Sequence, residues 1–405
     1  MLRTRSIAIF AAGMSFLASC SPSNGKTASK LDGHFEGSSA AQFKSEVGAQ
    51  RATAEYEPSR GVIISLPLIS SFGMTQMAAE IASADVEKLW IVVPSNFTGT
   101  LASDPTFFDL RRALGADISK VELIYQQFPG SLTVWARDWA PQGAVAADGS
   151  LRLLDFNYYP DRNADDFTAQ SMERLLDFQR VSVPVYNEGG NFMNNTRGVC
   201  MMTTRVTDAN AAREQEDDII LDAAGTTAYY KAAAGCTTVK IFPRMPYEGT
   251  GHIDMWAKFL NDDNVIVSEL RDEVLGLYTN NADREKARQI QSYYNARAAE
   301  IRAMGFKVTR IPSPGPIFRQ DDTFRSYTNS LTLSEKVIVP RYVTPASERI
   351  ATPSGLYFDQ ALLRKYEAEV RDVYESFGYT MAWANSDGLI YSGGAVHCTT
   401  MQLPR

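Results

Sequence analysis

Cys398 lies in Tyr391-Ser-Gly-Gly-Ala-Val-His-Cys398-Thr-Thr, where a glycine pair permits a tight turn into an apolar-polar run that reads as a short strand. A thiolate is a strong nucleophile, but a free cysteine is mostly protonated at neutral pH, so a catalytic thiol needs neighbours that charge it. Acidic and histidine groups of that kind recur upstream beside other glycine turns. Asp138 sits in Val134-Trp-Ala-Arg-Asp138-Trp-Ala-Pro, and Glu188 in Asn187-Glu188-Gly-Gly-Asn191. His252 and Asp254 sit in Gly249-Thr-Gly-His252-Ile-Asp254-Met-Trp-Ala-Lys-Phe. The period of two in His252-x-Asp254 puts both side chains on one face of an expected strand. By the same rule His397 points away from Cys398 and reads as a histidine satisfied by the structure. Of the three histidines, His34 falls in an expected tether, which leaves His252 as the expected acid/base.

Several acids around one thiol and one histidine suit a guanidinium group. It presents five donors in a rigid fork and stays charged, so it calls for carboxylates. Its carbon is a poor electrophile until a strong nucleophile is held against it. A binuclear-metal hydrolase would need more histidines than this chain has, and no Cys-x-x-Cys suggests zinc. The net charge of −7, with no basic stripe interleaved with aromatics, excludes a nucleic-acid partner.

The elements that must position these groups alternate. Gly61-Val-Ile-Ile-Ser-Leu, Leu89-Trp-Ile-Val-Val, Val121-Glu-Leu-Ile-Tyr, Asn264-Val-Ile-Val-Ser and Lys336-Val-Ile-Val-Pro have the β-branched density of buried strands. Helical spacing marks Met74–Ala84, Ala282–Met304 and Asp359–Ser376. The class is α/β, without the G-x-G-x-x-G of a dinucleotide fold. Turn landmarks at Pro58, Asp138, Glu188, His252, Asn329 and Cys398 suggest a ring of degenerate βαβ-type repeats.

At the N-terminus Arg3 and Arg5 precede a short apolar run and Leu17-Ala-Ser-Cys20, a secretory leader over residues 1–19. The junction resembles the bacterial lipobox, which makes Cys20 a lipidated anchor on a membrane surface. Residues 20–50 read as a flexible tether without periodicity, and 51–405 as the catalytic domain. The expected location is exported and membrane-anchored, and Ser21 after the cysteine is compatible with an outer membrane. Cys200 and Cys236 are either a disulfide or two buried thiols.

Six segments in order resemble the agmatine deiminase and bacterial peptidylarginine deiminase family of the guanidine-modifying (pentein) superfamily. They are Ala54-Glu-Tyr-Glu-Pro, Trp135-Ala-Arg-Asp138, Glu188-Gly-Gly-Asn, Gly251-His252-Ile-Asp254, Tyr327-Thr-Asn-Ser330 followed by Val337-Ile-Val-Pro, and Gly393-Gly-Ala-Val-His-Cys398. The resemblance covers roughly residue 54 to the last. It implies a five-bladed pseudo-symmetric α/β propeller with the site at its centre. It also implies Cys398 as nucleophile, His252 as acid/base with Glu188 coupled to it, Asp138 and Asp254 as a guanidinium clamp, and no metal or organic cofactor. The substrate would be peptidyl-arginine or agmatine, converted to a ureido product with release of ammonia.

The segment Asp155–Asp166 looks like one that, in a bacterial peptidylarginine deiminase, carries two arginines for a C-terminal carboxylate. Here Arg162 matches one and Pro160 replaces the other. Asn329 either bonds substrate or forms a turn, and Trp135 and Trp139 either wall the pocket or belong to the core. The competing readings are an amidinotransferase of the same superfamily and a non-catalytic guanidine-binding lipoprotein.

Overall fold

Val62, Ile63 and Ile64 are fully buried on both faces of the strand Ser59–Ser65, which is why that run shows no alternation. The other β-branched runs behave alike, as strands Lys88–Val93, Val121–Tyr125, Asn264–Glu269 and Lys336–Arg341. The computed structural model describes residues 39–212, 220–278, 280–318, 323–342 and 360–405. The leader, Cys20 and residues 21–38 of the tether lie outside the described residues.

One connection pattern recurs in five units: an antiparallel strand pair, then a helical crossover to a parallel third strand. Gln142–Ala146, Leu151–Asn157 and Gln179–Tyr186 form one such set. Met193–Asn194, Val199–Thr203 and Thr238–Phe242 form the next. They are followed by Ala257–Phe259, Asn264–Glu269 and Lys307–Pro312, then Leu331–Leu333, Lys336–Arg341 and Thr380–Asn385. In the remaining unit Met401–Pro404 runs antiparallel to Ser59–Ser65, which pairs in parallel with Lys88–Val93. The crossovers include helices Thr75–Ala82, Asn281–Ala303 and Gln360–Ser376, where helical spacing was expected. Helix Asn281–Ala303 buries Ala287, Ile290, Tyr294, Ala298 and Ile301, a stripe at steps of three and four. The side chain of Asn280 caps it by accepting from the Ala282 N–H at 2.8 Å.

The tether boundary needs correction. Helix Ala40–Val47 is folded, with Phe43 fully buried and its ring 5.9 Å from that of Tyr229. Ser39 Oγ caps it by accepting from Gln42 N–H at 3.2 Å. Ala40, Phe43 and Val47 share one face at helical spacing, so the stretch carries a short periodicity that its Ser- and Ala-rich composition obscures. Gln50–Ala52 then joins Gln142–Ala146 as an edge strand.

Cys200 and Cys236 form a disulfide that ties strand Val199–Thr203 to the segment entering Thr238–Phe242. Cys398 is the free cysteine among the described residues. No helix among those residues is long and apolar enough to cross a membrane.

Candidate active site

In four of the five units a short helical turn precedes the first antiparallel strand, and those turns carry the acids, the histidine and the thiol. Ala136–Trp139 holds Asp138, and Gly189–Asn191 follows Glu188. Ile253–Met255 follows His252 and contains Asp254, and His397–Thr399 holds Cys398. Asn329 occupies the equivalent place before Leu331–Leu333. The expected strands at His252-x-Asp254 and at Cys398 are therefore 3₁₀ turns. The chain must swing into each following strand, and Gly251 at φ 71° and Gly393 at φ 103° supply backbone that other residues rarely adopt. Neighbouring side chains on a 3₁₀ turn stand about 120° apart rather than opposite. His397 and Cys398 consequently both reach Asp254 Oδ2, at 2.7 Å from Nδ1 and 3.5 Å from Sγ.

Asn329 organises the thiol. Its Oδ1 accepts from the backbone N–H groups of Ala395, His397 and Cys398 at 3.2, 3.1 and 3.3 Å. Its Nδ2 donates to Asp254 Oδ2 at 2.9 Å and to Cys398 Sγ at 3.0 Å. This fully buried amide holds the Cys398 turn, whereas substrate bonding and turn formation were the readings open in the sequence.

Glu188 accepts from His252 Nε2 across 3.2 Å. The other ring nitrogen of His252, Nδ1, is buried without a hydrogen-bond partner and lies 3.8 Å from Asp138 Oδ1. Asp254 Oδ1 is likewise buried and unpartnered. His252 Nδ1 faces the space beside Gly190, as does the other carboxylate oxygen of Asp254, Oδ2. A methyl group there would come within 2.7 Å of His252 Nδ1, 3.0 Å of Asp138 Oδ1 and 3.1 Å of Asp254 Oδ2. Glycine at 190 keeps that space open, and its N–H donates to Asp138 Oδ1 at 3.0 Å. Gly394 does the same for the thiol: a methyl would meet Trp135 at 2.6 Å and Cys398 Sγ at 3.0 Å. Trp135 and the Cys398 thiol thus close on Gly394 together. Trp139 is core, with Nε1 donating to Thr133 Oγ1 at 3.1 Å.

The electrostatics follow from crowding buried acids. Burial raises Asp138 to about 7, with Glu188 and Asp254 adding and His252 opposing. Burial works against charge on His252, yet Asp138, Glu188 and Asp254 outweigh it and push the imidazole up to about 10. Burial also raises Glu188, but His252 and Arg205 overcome it and hold the carboxyl well below its usual range. Burial, then Asp254 and Asp138, push the Cys398 thiol well above its ordinary value, while the Asn329 hydrogen bond pulls it down. A cation entering beside the two aspartates would lower it.

A family model described as Porphyromonas-type peptidyl-arginine deiminase matches residues 51–404. The chain belongs to this family. A Shewanella baltica (strain OS195) protein provisionally named agmatine deiminase is 26% identical over 294 residues, 67% of this chain and 73% of that protein. Solved agmatine deiminases share the fold. That of Enterococcus faecalis has a TM-score of 0.65 at 18% identity, covering 89% of this chain and 97% of its own. The enzyme titled C. Jejuni Agmatine Deiminase gives 0.63 at 16%, covering 88% and 96%. As a member of the family this deiminase is a hydrolase acting on C–N bonds in linear amidines.

Several residues of the deiminase site escaped the sequence reading. Arg205 bridges Glu188, Nε to Oε2 at 2.7 Å and Nη2 to Oε1 at 3.1 Å, and Tyr159 donates its hydroxyl to Oε1 at 2.6 Å. Arg137 links the Asp138 turn to the C-terminal strand through Gln402 Oε1 at 2.7 Å. Glu55 and Lys258 pair behind the site. Lys258 carried a local signal, a lysine inside Trp256-Ala-Lys-Phe at a position whose neighbours are all buried, and Glu55 and Arg137 lie inside two of the segments that carry the family resemblance. Arg162 stacks its guanidinium over the Tyr159 ring, 5.3 Å from the centroid, one side chain removed from Glu188. Among the described residues no group of three or more His, Cys, Asp or Glu is arranged to hold a metal ion.

Proposed function

We propose that this deiminase converts the guanidino group of peptidyl-arginine to a ureido group through a covalent Cys398 intermediate. The observation that carries the reading is the convergence on Gly190 of three polar atoms, with the thiol beside Asp254. Asp138 and Asp254 present oxygens to the substrate N–H groups, and the bound cation stabilises the Cys398 thiolate. The thiolate attacks the guanidinium carbon. The C–N bond to one amino group breaks as His252, from Nδ1, donates the proton that lets it depart as ammonia. His252 then takes a proton from water, which attacks the S-amidino carbon, and the C–S bond breaks to release the ureido product and the thiolate. The net reaction is guanidinium plus water to ureido group plus ammonium.

Peptidyl-arginine is favoured over agmatine because the chain reads as exported, and agmatine is ordinarily found inside cells. The product in that case is a citrullinated chain. The five recurring units support a five-bladed propeller with these turns at its axis. Incubation with agmatine, free arginine and arginine peptides, measuring ammonia and ureido product together, tests the proposal. We expect one ammonia per ureido group and the largest kcat/KM on the peptides. Amidino transfer to an added amine without ureido product would establish the amidinotransferase, and binding without any product the solute-binding protein.

We also propose that Cys20 bears lipid and that the deiminase works on the outer face of a membrane. The buried Cys200–Cys236 disulfide suits an oxidising compartment. Palmitate labelling with mass spectrometry of the mature N-terminus should find a modified Cys20. An unmodified N-terminus beyond Cys20 would mean free secretion.

A further inference from the structure

Asp254 Oδ2, the oxygen that also lies 3.5 Å from Cys398 Sγ, is engaged by His397 Nδ1 at 2.7 Å and Asn329 Nδ2 at 2.9 Å, while Oδ1 is buried without a hydrogen-bond partner. His397 is in turn held from behind. Its Nε2 meets Glu55 Oε2 at 3.0 Å, the same carboxylate takes Lys258 Nζ, and Glu55 Oε1 accepts from the Thr332 N–H at 2.8 Å. Glu55, His397, Asp254 and Lys258 border one cavity of about 30 Å³, together with Arg137 and Gln402. Each ring nitrogen of His397 thus lies within hydrogen-bond reach of one carboxylate oxygen, Asp254 on the site side and Glu55 behind.

We propose that His397, backed by Glu55 and Lys258, is a positioning residue of the reaction: it fixes the Asp254 carboxylate beside the thiol, with one oxygen free of protein partners, and keeps it ready to take a cation. This rests on the guanidino reading above. It gives the second buried histidine a task separate from the proton transfers of His252. Asp254 is faced by His397, His252, Arg137, Asp138 and Cys398, with Glu55 and Lys258 behind. Burial raises its carboxyl, and the hydrogen bond and charge of His397 more than reverse that, with His252 and Arg137 assisting. Losing His397 therefore lets Asp254 take up a proton at higher pH.

The test uses His397→Gln, with Glu55→Gln as a milder variant that leaves the imidazole in place. A site carboxylate misplaced by about an ångström costs on the order of 100-fold. We expect kcat/KM to fall by about that factor in His397→Gln and less in Glu55→Gln. The acid limb of the pH profile should move upward in both, and His397→Gln should add no further loss to Asp254→Asn. An unmoved acid limb with losses that multiply would overturn the assignment and leave His397 as packing. Calorimetric binding of an arginine peptide to Cys398→Ser, with and without His397→Gln, reads the same limb without turnover. A parent that binds but does not deiminate would thus count against the proposed reaction alone. Absence of binding at every pH would overturn both.

Discussion

Cys398→Ser should lose at least about 10⁴-fold in kcat while melting within a degree or two of the parent. A serine hydroxyl is a far weaker nucleophile than a thiolate, and nothing here is placed to deprotonate it. His252 points one ring nitrogen at Glu188 and the other towards Asp138, and the Asp254 carboxylate that does face the thiol is too weak a base to ionise a hydroxyl. The structural cost is small because the thiol's partners, Asn329 Nδ2 and Asp254 Oδ2, are equally served by a hydroxyl. Single-turnover ammonia release measures the loss. Activity within tenfold of the parent would remove the covalent route and, with it, the reason for burying a thiol among carboxylates.

The second large effect is expected from His252→Gln. With its imidazole raised to about 10, His252 stands as a proton donor at neutral pH, and removing general acid–base help costs about 10² to 10⁴ in kcat. The same residue should leave a mark on stability. Below the unfolded value of about 6.5 both states hold the proton, so its stabilisation is fully present. Between that value and about 10 the folded protein keeps a proton that the unfolded chain has lost, and each rise in pH erodes stability until the folded group also releases it. The parent should therefore lose melting temperature across pH 7 to 10 more steeply than His252→Gln, as a calorimetric series would show. Parallel curves would mean that His252 titrates near its ordinary value.

What could be seen in the sequence depended on whether the cause was local. The strands at residues 61–66, 89–93 and 264–268 were visible because burial on both faces demands an unbroken β-branched run. Glu188 and Cys398 stood out because each lies near a glycine whose missing side chain the site requires, Gly190 and Gly394, whereas Asp138 stood out as an acid flanked by tryptophans. The backbone under His252 and Cys398 was misjudged because the period of two also fits a turn entering a strand, and only the hydrogen bonds distinguish them. The helix at Ala40–Val47 was hidden by its composition, since its fixing contact is with Tyr229, far along the chain. Arg205 was missed for the same reason, and so was the role of Glu55 within Ala54-Glu-Tyr-Glu-Pro: their partners are remote, so nothing adjacent to them announces a charge pair. Pairings between distant segments are set by the fold and leave no local pattern.

Residues that meet across the longest separations also meet last. Met401 lies opposite Ile63, and the turn bearing Cys398 feeds directly into that strand. Closing so distant a pair carries a large entropic toll before any contact rewards it, and this slows folding. Until the strand docks, Cys398 has no Asn329 or Asp254 beside it and is an ordinary mobile thiol in the same chain as Cys200 and Cys236. Oxidative refolding is thus a race: docking hides the Cys398 sulfur, and any delay leaves it free to attack the Cys200–Cys236 bond.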